Sequence, residues 1–420
     1  MWRGARAAAI LYGAMTPNPA SRLLLFLAGA AALATGSRCL ASAEYPTGDF
    51  PKFIISADLR SSGVMDVITA NYHGASISVL LGNGNGTFQS QTSYPVGQFP
   101  TGLAVGDLNG DGILDIVVAN AIDPTGRQGG GPLSTPCPSC QADAVSVLIG
   151  KGDGTFQPAT FWTADSGTSW VSVYDFNGDG KLDIVATAWK AGTISILMGK
   201  GNGTFQPPVN YPAGTVPHSV AIADFNGDGN VDLAVGNLYS ANVNIYFGHG
   251  DGTFTPAGLL AVGSMPHSIV TGDFNSDGIA DLATANELGT ISVLIGNGDG
   301  TFQPAVNYKS GQVTTSIVEG DFNGDGILDL AASNAGTNPD SAGAKAGTDA
   351  GVSVGIFLGN GDGTFKKPTF YYTGGTGSNA VVATTLLTGS SILDLAFDHY
   401  DSYVTAIFGT GTGTFTQTPQ

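Results

Sequence analysis

After residue 44 the apolar positions recur with a period of two, in short bursts separated by Asp- and Gly-rich turns. One apolar burst at 219–223 leads into an Asp loop, a second follows at 232–236, a third runs 243–247, and a weaker one lies around 207–211. Bursts of four or five residues bounded by turn formers predict strands. No stretch beyond the amino terminus holds a 3.6-residue period, so the pattern predicts an all-β chain.

The bursts repeat. A Gly-x-Gly-x-Gly-Thr-Phe segment at 81–88 recurs at 149–156, 198–205, 247–254, 295–302, 358–365 and 408–415. A second element, Asp-x-Asn-x-Asp-Gly-x-x-Asp, starts at Asp107, Asp175, Asp224, Asp273 and Asp321, spaced 68, 49, 49 and 48 residues apart. Degenerate copies of this loop start at Asp58 and Leu386. Four short strands every 49 residues or so predict a seven-bladed β-propeller of four-stranded antiparallel blades. Glu44-Tyr45-Pro46-Thr47-Gly48 matches Tyr94-Pro95-Val96-Gly97 and Tyr211-Pro212-Ala213-Gly214, whereas no such strand follows the last Gly-Thr-Phe. The amino-terminal strand is therefore expected to complete the seventh blade, which removes an exposed edge at each end.

The Asp loops carry metal chemistry. In Asp175-Phe176-Asn177-Gly178-Asp179-Gly180-Lys181-Leu182-Asp183, positions 1, 3, 5 and 9 offer oxygen side chains and position 7 a backbone carbonyl. Oxygen-only donors at this density suit Ca2+. The expected ligands are Asp107, Asn109, Asp111, Ile113 and Asp115; Asp175, Asn177, Asp179, Lys181 and Asp183; Asp224, Asn226, Asp228, Asn230 and Asp232; Asp273, Asn275, Asp277, Ile279 and Asp281; and Asp321, Asn323, Asp325, Ile327 and Asp329. That makes five calcium sites, with a structural role. The copy at Asp58 has Arg60 and Ser62 at positions 3 and 5, and the last copy retains only Asp394, so neither is expected to bind metal. The Gly-rich segments, such as Gly296-Asn297-Gly298-Asp299-Gly300, superficially resemble phosphate loops, but no helix follows them. They read as blade turns, with Phe302 and its equivalents packing between blades.

Composition changes the picture in one respect. Of 33 acidic residues 30 are Asp, against 15 Lys plus Arg, for a net charge of −18. The five intact loops use 15 of those Asp, which accounts for the bias without an acidic partner surface. A chain this acidic lacks the basic footprint that nucleic acid requires.

Residues 1–43 carry Arg3, Arg6, Arg22 and Arg38, no acid, an apolar run at 23–34 and Ala41-Ser42-Ala43 before Glu44. This is the pattern of a cleaved signal peptide, and the run is shorter than a membrane span requires. The protein is expected to be secreted, periplasmic or at the cell surface, as a monomer made of one domain over 44–420. Cys137 and Cys140, in Cys-Pro-Ser-Cys, are expected to form a disulfide in that oxidising setting.

The combined loop and Gly-Thr-Phe signals resemble the FG-GAP (VCBS-type) repeats of the integrin α-chain head and of many secreted bacterial proteins, over residues 45–415. That resemblance implies a seven-bladed calcium-binding propeller used in adhesion or ligand binding. An integrin chain's stalk and membrane span have no counterpart here, so receptor function is not carried over.

Strand alternation places the Asp loops and Gly-Thr-Phe turns on one face. The opposite face receives the connections after second strands and the insertions at 121–143 and 335–351. Loops that vary on a rigid scaffold tend to carry function. Trp170, His218, His267, Trp189 and Glu287 fall on that face and form the candidate ligand surface, with Tyr72 and Tyr400 at positions equivalent to Trp189 and Glu287. As ordinary loop residues and blade caps they would need no ligand; as a surface of aromatics with a few polar groups they suit a glycan or a protein ligand. The expected function is non-catalytic binding or adhesion, with a carbohydrate-binding lectin as the alternative. A polysaccharide lyase or hydrolase is disfavoured, because no catalytic constellation is readable and Glu287 and Glu319 are the only Glu beyond Glu44.

Overall fold

The computed structural model describes residues 43–121, 144–335, 353–374 and 377–419. Residues 1–42 of the expected signal segment, Cys137, Cys140 and nearly all of both insertions lie outside the described residues. Within them the chain forms strands, turns and bends, with no helix.

Seven antiparallel sheets succeed one another along the chain, six of them four-stranded and built from consecutive strands. The fourth blade runs Pro217–Ala223, Asp232–Asn237, Asn242–Gly248 and Phe254–Ala261 from its inner edge outward. Val209–Pro212, the weak strand of the sequence pattern, is the outer edge of the third blade, paired with Thr193–Leu197. The second strand of every blade is buried at all six of its positions, because a neighbouring sheet covers each of its faces. Outer strands such as Thr92–Pro95 are mostly exposed.

The seventh blade closes the ring. Tyr45–Pro46 pairs with Tyr403–Gly409, in register Tyr45 with Val404 and Pro46 with Tyr403, and a two-residue strand Phe415–Thr416 extends the same sheet. Tyr45 sets its ring edge-on to Phe88 at 5.1 Å, as Tyr94 does to Phe156, Tyr211 to Phe254 and Tyr308 to Phe365. The closing strand thus supplies the aromatic that a completed outer strand carries elsewhere.

Seams between blades follow one rule on the loop face. At six of the seven seams the third glycine of the turn, next to its Thr-Phe, donates its amide to the second-position carbonyl of the preceding blade's loop: Gly203 to Leu108, Gly252 to Phe176, Gly300 to Phe225, Gly363 to Phe274, Gly413 to Phe322 and Gly86 to Leu386. Gly203 adopts φ +75°, a conformation that favours glycine. The turn phenylalanine packs against the loop phenylalanine, as Phe302 does on Phe225 at 5.6 Å. The last seam corrects the reading of the degenerate seventh loop. Leu386 occupies its second position rather than its first, because its amide bonds Asp394 and its carbonyl receives Gly86. That loop begins at Thr385, holds one extra residue, and uses Leu386 as a buried seam residue.

Candidate functional site: seven loops and an axial mouth

Each loop ends on an aspartate that opens the second strand and is almost wholly buried: Asp66, Asp115, Asp183, Asp232, Asp281, Asp329 and Asp394. Each accepts two amides, one from the loop's second position and one from the start of the Gly-rich turn. Asp183 takes Phe176 N–H at 3.0 Å and Gly199 N–H at 2.7 Å. The intact loops then fold on themselves alike. In blade three Asp175 accepts Gly180 N–H, Asn177 accepts Asp179 N–H, and Asp179 accepts Lys181 N–H. Gly180 takes φ +78° to make the bend, with nothing within 4 Å of a would-be Cβ.

Charge is unbalanced in these loops. Burial pushes Asp183, Asp281 and Asp329 up to about 6, and the neighbouring first- and fifth-position aspartates push the same way. Asp115 and Asp232 are raised by the same causes. Blade one differs: Arg60, at position 3, pairs with Asp66 at 2.6 Å and also donates to Gly82 O at 2.8 Å. Burial raises Asp66 too, but the guanidinium opposes it. An internal cation there stands among the residues that elsewhere are all oxygen donors.

Three carboxylates, one amide oxygen and one carbonyl per loop match a hard cation in donor chemistry. Among the described residues, however, no three His, Cys, Asp or Glu side chains close into a metal-holding group. The carboxylates are turned onto the loop's own amides. A bound calcium would be held by the five loop sets at Asp107, Asp175, Asp224, Asp273 and Asp321, and would supply the positive charge that Arg60 supplies in blade one.

The opposite face converges on the axis. A β-bulge interrupts the start of the innermost strand in blades one to six, between Pro51 and Phe53, for example, and between Pro217 and Ser219. The bulged residue stands six positions before the loop in every blade: Lys52, Thr101, Ser169, His218, His267 and Thr315, with Asn379 in the same place in blade seven. Five of these seven side chains reach a backbone carbonyl of the next blade. Ser169 Oγ donates to Pro217 O, His218 Nδ1 to His267 O at 2.7 Å, and His267 Nδ1 to Thr315 O at 2.8 Å. Thr315 Oγ1 donates to Ser378 O, and Asn379 Nδ2 to Pro51 O. Carbonyls only accept, so both imidazoles carry their proton on Nδ1 and present Nε2 as an acceptor. Their rings lie 4.0 Å apart. Burial and the nearby Lys52 hold His218 down at about 4, and burial, His218 and Lys52 hold His267 well below its usual value.

Lys52 and Thr101 break this girdle. Among the described residues the Lys52 ammonium makes no hydrogen bond or ion pair, and it lies 4.9 Å from the centre of the Tyr72 ring. Burial lowers its pKa, and Glu287 opposes that shift. Burial likewise raises Glu287, against the pull of Lys52. Thr101 Oγ1 is buried and has no hydrogen-bond partner among the described residues.

Lys52, Thr101, His218, His267, Thr315 and Asn379 line one recess with Phe53, Trp170, Ser268, Ser316 and Ala380, narrow enough to seat little more than a water-sized group. Trp170 sets its ring edge-on to Phe53 at 4.7 Å, passing Gly102 of the blade between them. A Cβ on Gly102 would stand 3.0 Å from Trp170 Cα and 3.1 Å from Ser169 O, so glycine lets the two blades' backbones approach here.

Trp170, His218 and His267 therefore meet at the axis, and Glu287 acts on it electrostatically. Trp189 stands apart, beside Gly167, at the first position after the second strand of blade three. Tyr72, Glu287 and Tyr400 hold the same position in their blades, each donating its amide to the carbonyl before the innermost strand. Phe50 and Phe99, also before innermost strands, adopt φ +54° and +52°, rare for bulky residues. They extend an aromatic belt: Phe50 stacks on Tyr400 at 4.7 Å, and Tyr72 lies 5.1 Å from Phe99. Lys52 and Thr101 escaped the sequence reading, although counting six residues back from each loop finds them. Glu319 sits far from this mouth in sequence register, paired with Leu330, its carboxyl raised by burial.

The ring of loop-bearing blades defines a seven-bladed β-propeller built from one repeated loop-and-turn unit. The chain belongs to the FG-GAP-like repeat family, whose model matches residues 58–118, 139–186, 175–235, 224–284 and 273–332. Among solved structures, it is similar to BBS1N in complex with ARL6DN (TM-score 0.57, 9% identity, covering 89% of this chain and 99% of that one). A protein from Lactobacillus plantarum gives 0.54 at 14% identity, covering 89% and 93%. A putative 6-phosphogluconolactonase from Bacteroides uniformis gives 0.57 at 13% identity, covering 81% and 90%. Likeness at these identities concerns the fold alone. No curated protein matches the sequence.

Proposed function

We propose that this is an exported, non-catalytic binding or adhesion protein whose Asp loops hold calcium as braces and whose opposite face carries the ligand surface. The observation that carries this reading is the contrast between faces. The loop face repeats one design five times, whereas the mouth draws five kinds of side chain from its seven blades, beside a belt of aromatics. BBS1N, a propeller of similar fold, is seen in complex with another protein, which favours a macromolecular ligand. The belt of Tyr400, Phe50, Tyr72 and Phe99 gives the lectin reading its support, since flat aromatic surface suits sugar rings. Against an enzyme, the mouth's imidazole protons are committed to backbone carbonyls, and among the described residues no nucleophile is hydrogen-bonded to either ring.

A glycan and matrix-protein array probed with the exported chain, in calcium and in EDTA, tests this. A saturable hit, lost in the folded Trp170→Ala/His218→Ala variant, is expected. A hit that the variant retains would move the ligand surface elsewhere, and no hit would remove the binding role.

A further inference from the structure

We infer that the axial mouth takes a single carboxylate carried on an apolar or aromatic body, with Lys52 as its counter-ion. The inference rests on the reading that this face carries the ligand, and names the ligand's chemistry. Five bulged side chains satisfy themselves on the next blade's carbonyl, and the two that do not, Lys52 and Thr101, stand on adjacent blades at equivalent positions of one recess. One is an ammonium with no ion pair in a chain of net charge −18, where acids outnumber bases about two to one. The other is a buried hydroxyl with no acceptor.

A half-buried charge and a buried donor left without partners in an otherwise satisfied ring mark the place of a missing acceptor group. An anion meets both needs, and an ammonium–carboxylate contact is a charge-assisted hydrogen bond.

Three features narrow the anion. The recess seats little more than a water-sized group, so one carboxylate oxygen enters it and the body of the ligand stays outside. Beside it lie Phe50, Tyr72, Phe99 and Trp170, a surface for an apolar body. The chain's own negative charge, with Glu287 in reach of Lys52, opposes a polyanion while leaving one local carboxylate acceptable.

Benzoate, benzamide and a polyuronate, titrated against the whole protein by calorimetry, test this. Benzoate is expected to bind saturably, benzamide and polyuronate not. Lys52→Met should weaken benzoate about tenfold or more, and Thr101→Val by a smaller factor. Thr101→Val keeps the test open should Lys52→Met fail to fold. Equal binding of benzamide, benzoate binding untouched by either variant, or no benzoate binding by the folded wild type would overturn the carboxylate site. An array hit lost in the Trp170/His218 variant would still stand in that case, which separates this failure from failure of the binding reading.

Discussion

Blades one and three bury the same aspartate at the same point, Asp66 and Asp183, and both tie it to two amides. Around it they differ. Blade one brings a guanidinium from within its own loop, whereas blade three brings two further carboxylates and an amide oxygen. Blade seven is a third solution: Asp394 keeps its two amides, and Leu386 seals the seam as an apolar residue. The comparison teaches that the amide clamp is the constant architectural element and the balancing charge is the variable one. A loop can carry its own cation, do without neighbouring acids, or collect oxygens that call for a cation from outside.

The comparison breaks most readily at Arg60. Arg60→Met leaves a fully buried carboxylate without its partner and should cost about 3–5 kcal/mol, read from urea unfolding. A loss below about 1 kcal/mol would mean that the amides alone hold Asp66. Calcium removal should act on the other blades. In EDTA, amide exchange at Phe176, Gly199, Phe225 and Gly248 should quicken, while Leu59 and Gly82 keep their protection; calcium at about a hundredfold over its Kd should return ~2.7 kcal/mol per occupied site. Uniform loss across all seven blades would erase the distinction. Converting one design into the other is a finer test. Arg60→Asn with Ser62→Asp should raise calcium stoichiometry by one and recover about 1–2 kcal/mol relative to Arg60→Met, in calcium only. Lys181→Met is the smallest change. It removes an exposed pair with Asp179 and should shift stability by no more than about 0.5 kcal/mol, while strengthening calcium binding at that loop.

Much of the ring was readable before any coordinates. Seven Gly-Thr-Phe turns count the blades, the Asp loops fix where second strands begin, and Tyr45-Pro46 resembles the outer strand that the last blade lacks. Phe302 at a seam follows from the same repetition. Repeats are legible because each copy confirms the others. The mouth is less so, since it is made where the copies disagree. Trp170 and His218 face the same axis from different registers, and the bulge that shifts them leaves no mark in the hydrophobic period. Lys52 sits in an unremarkable Pro-Lys-Phe, and only the closed ring places it across from Glu287. The extra residue in the seventh loop was hidden because Leu386 and Leu387 fit either register until an amide bond chooses.

The pairing of Tyr45–Pro46 with Tyr403–Gly409 sets a timetable for biogenesis. The ribosome releases this strand well before its partner, so the first strand of the ring waits alone while six blades assemble behind it. During that interval Ile54, Val67 and Phe88, which end up packed against Ala396, Val404 and Phe408, have nothing to cover them. An open arc with one sticky end is prone to capture by another chain or by aggregation. On the export reading proposed above, this favours holding the chain unfolded until the seventh blade has passed, so that the ring closes once, on the far side.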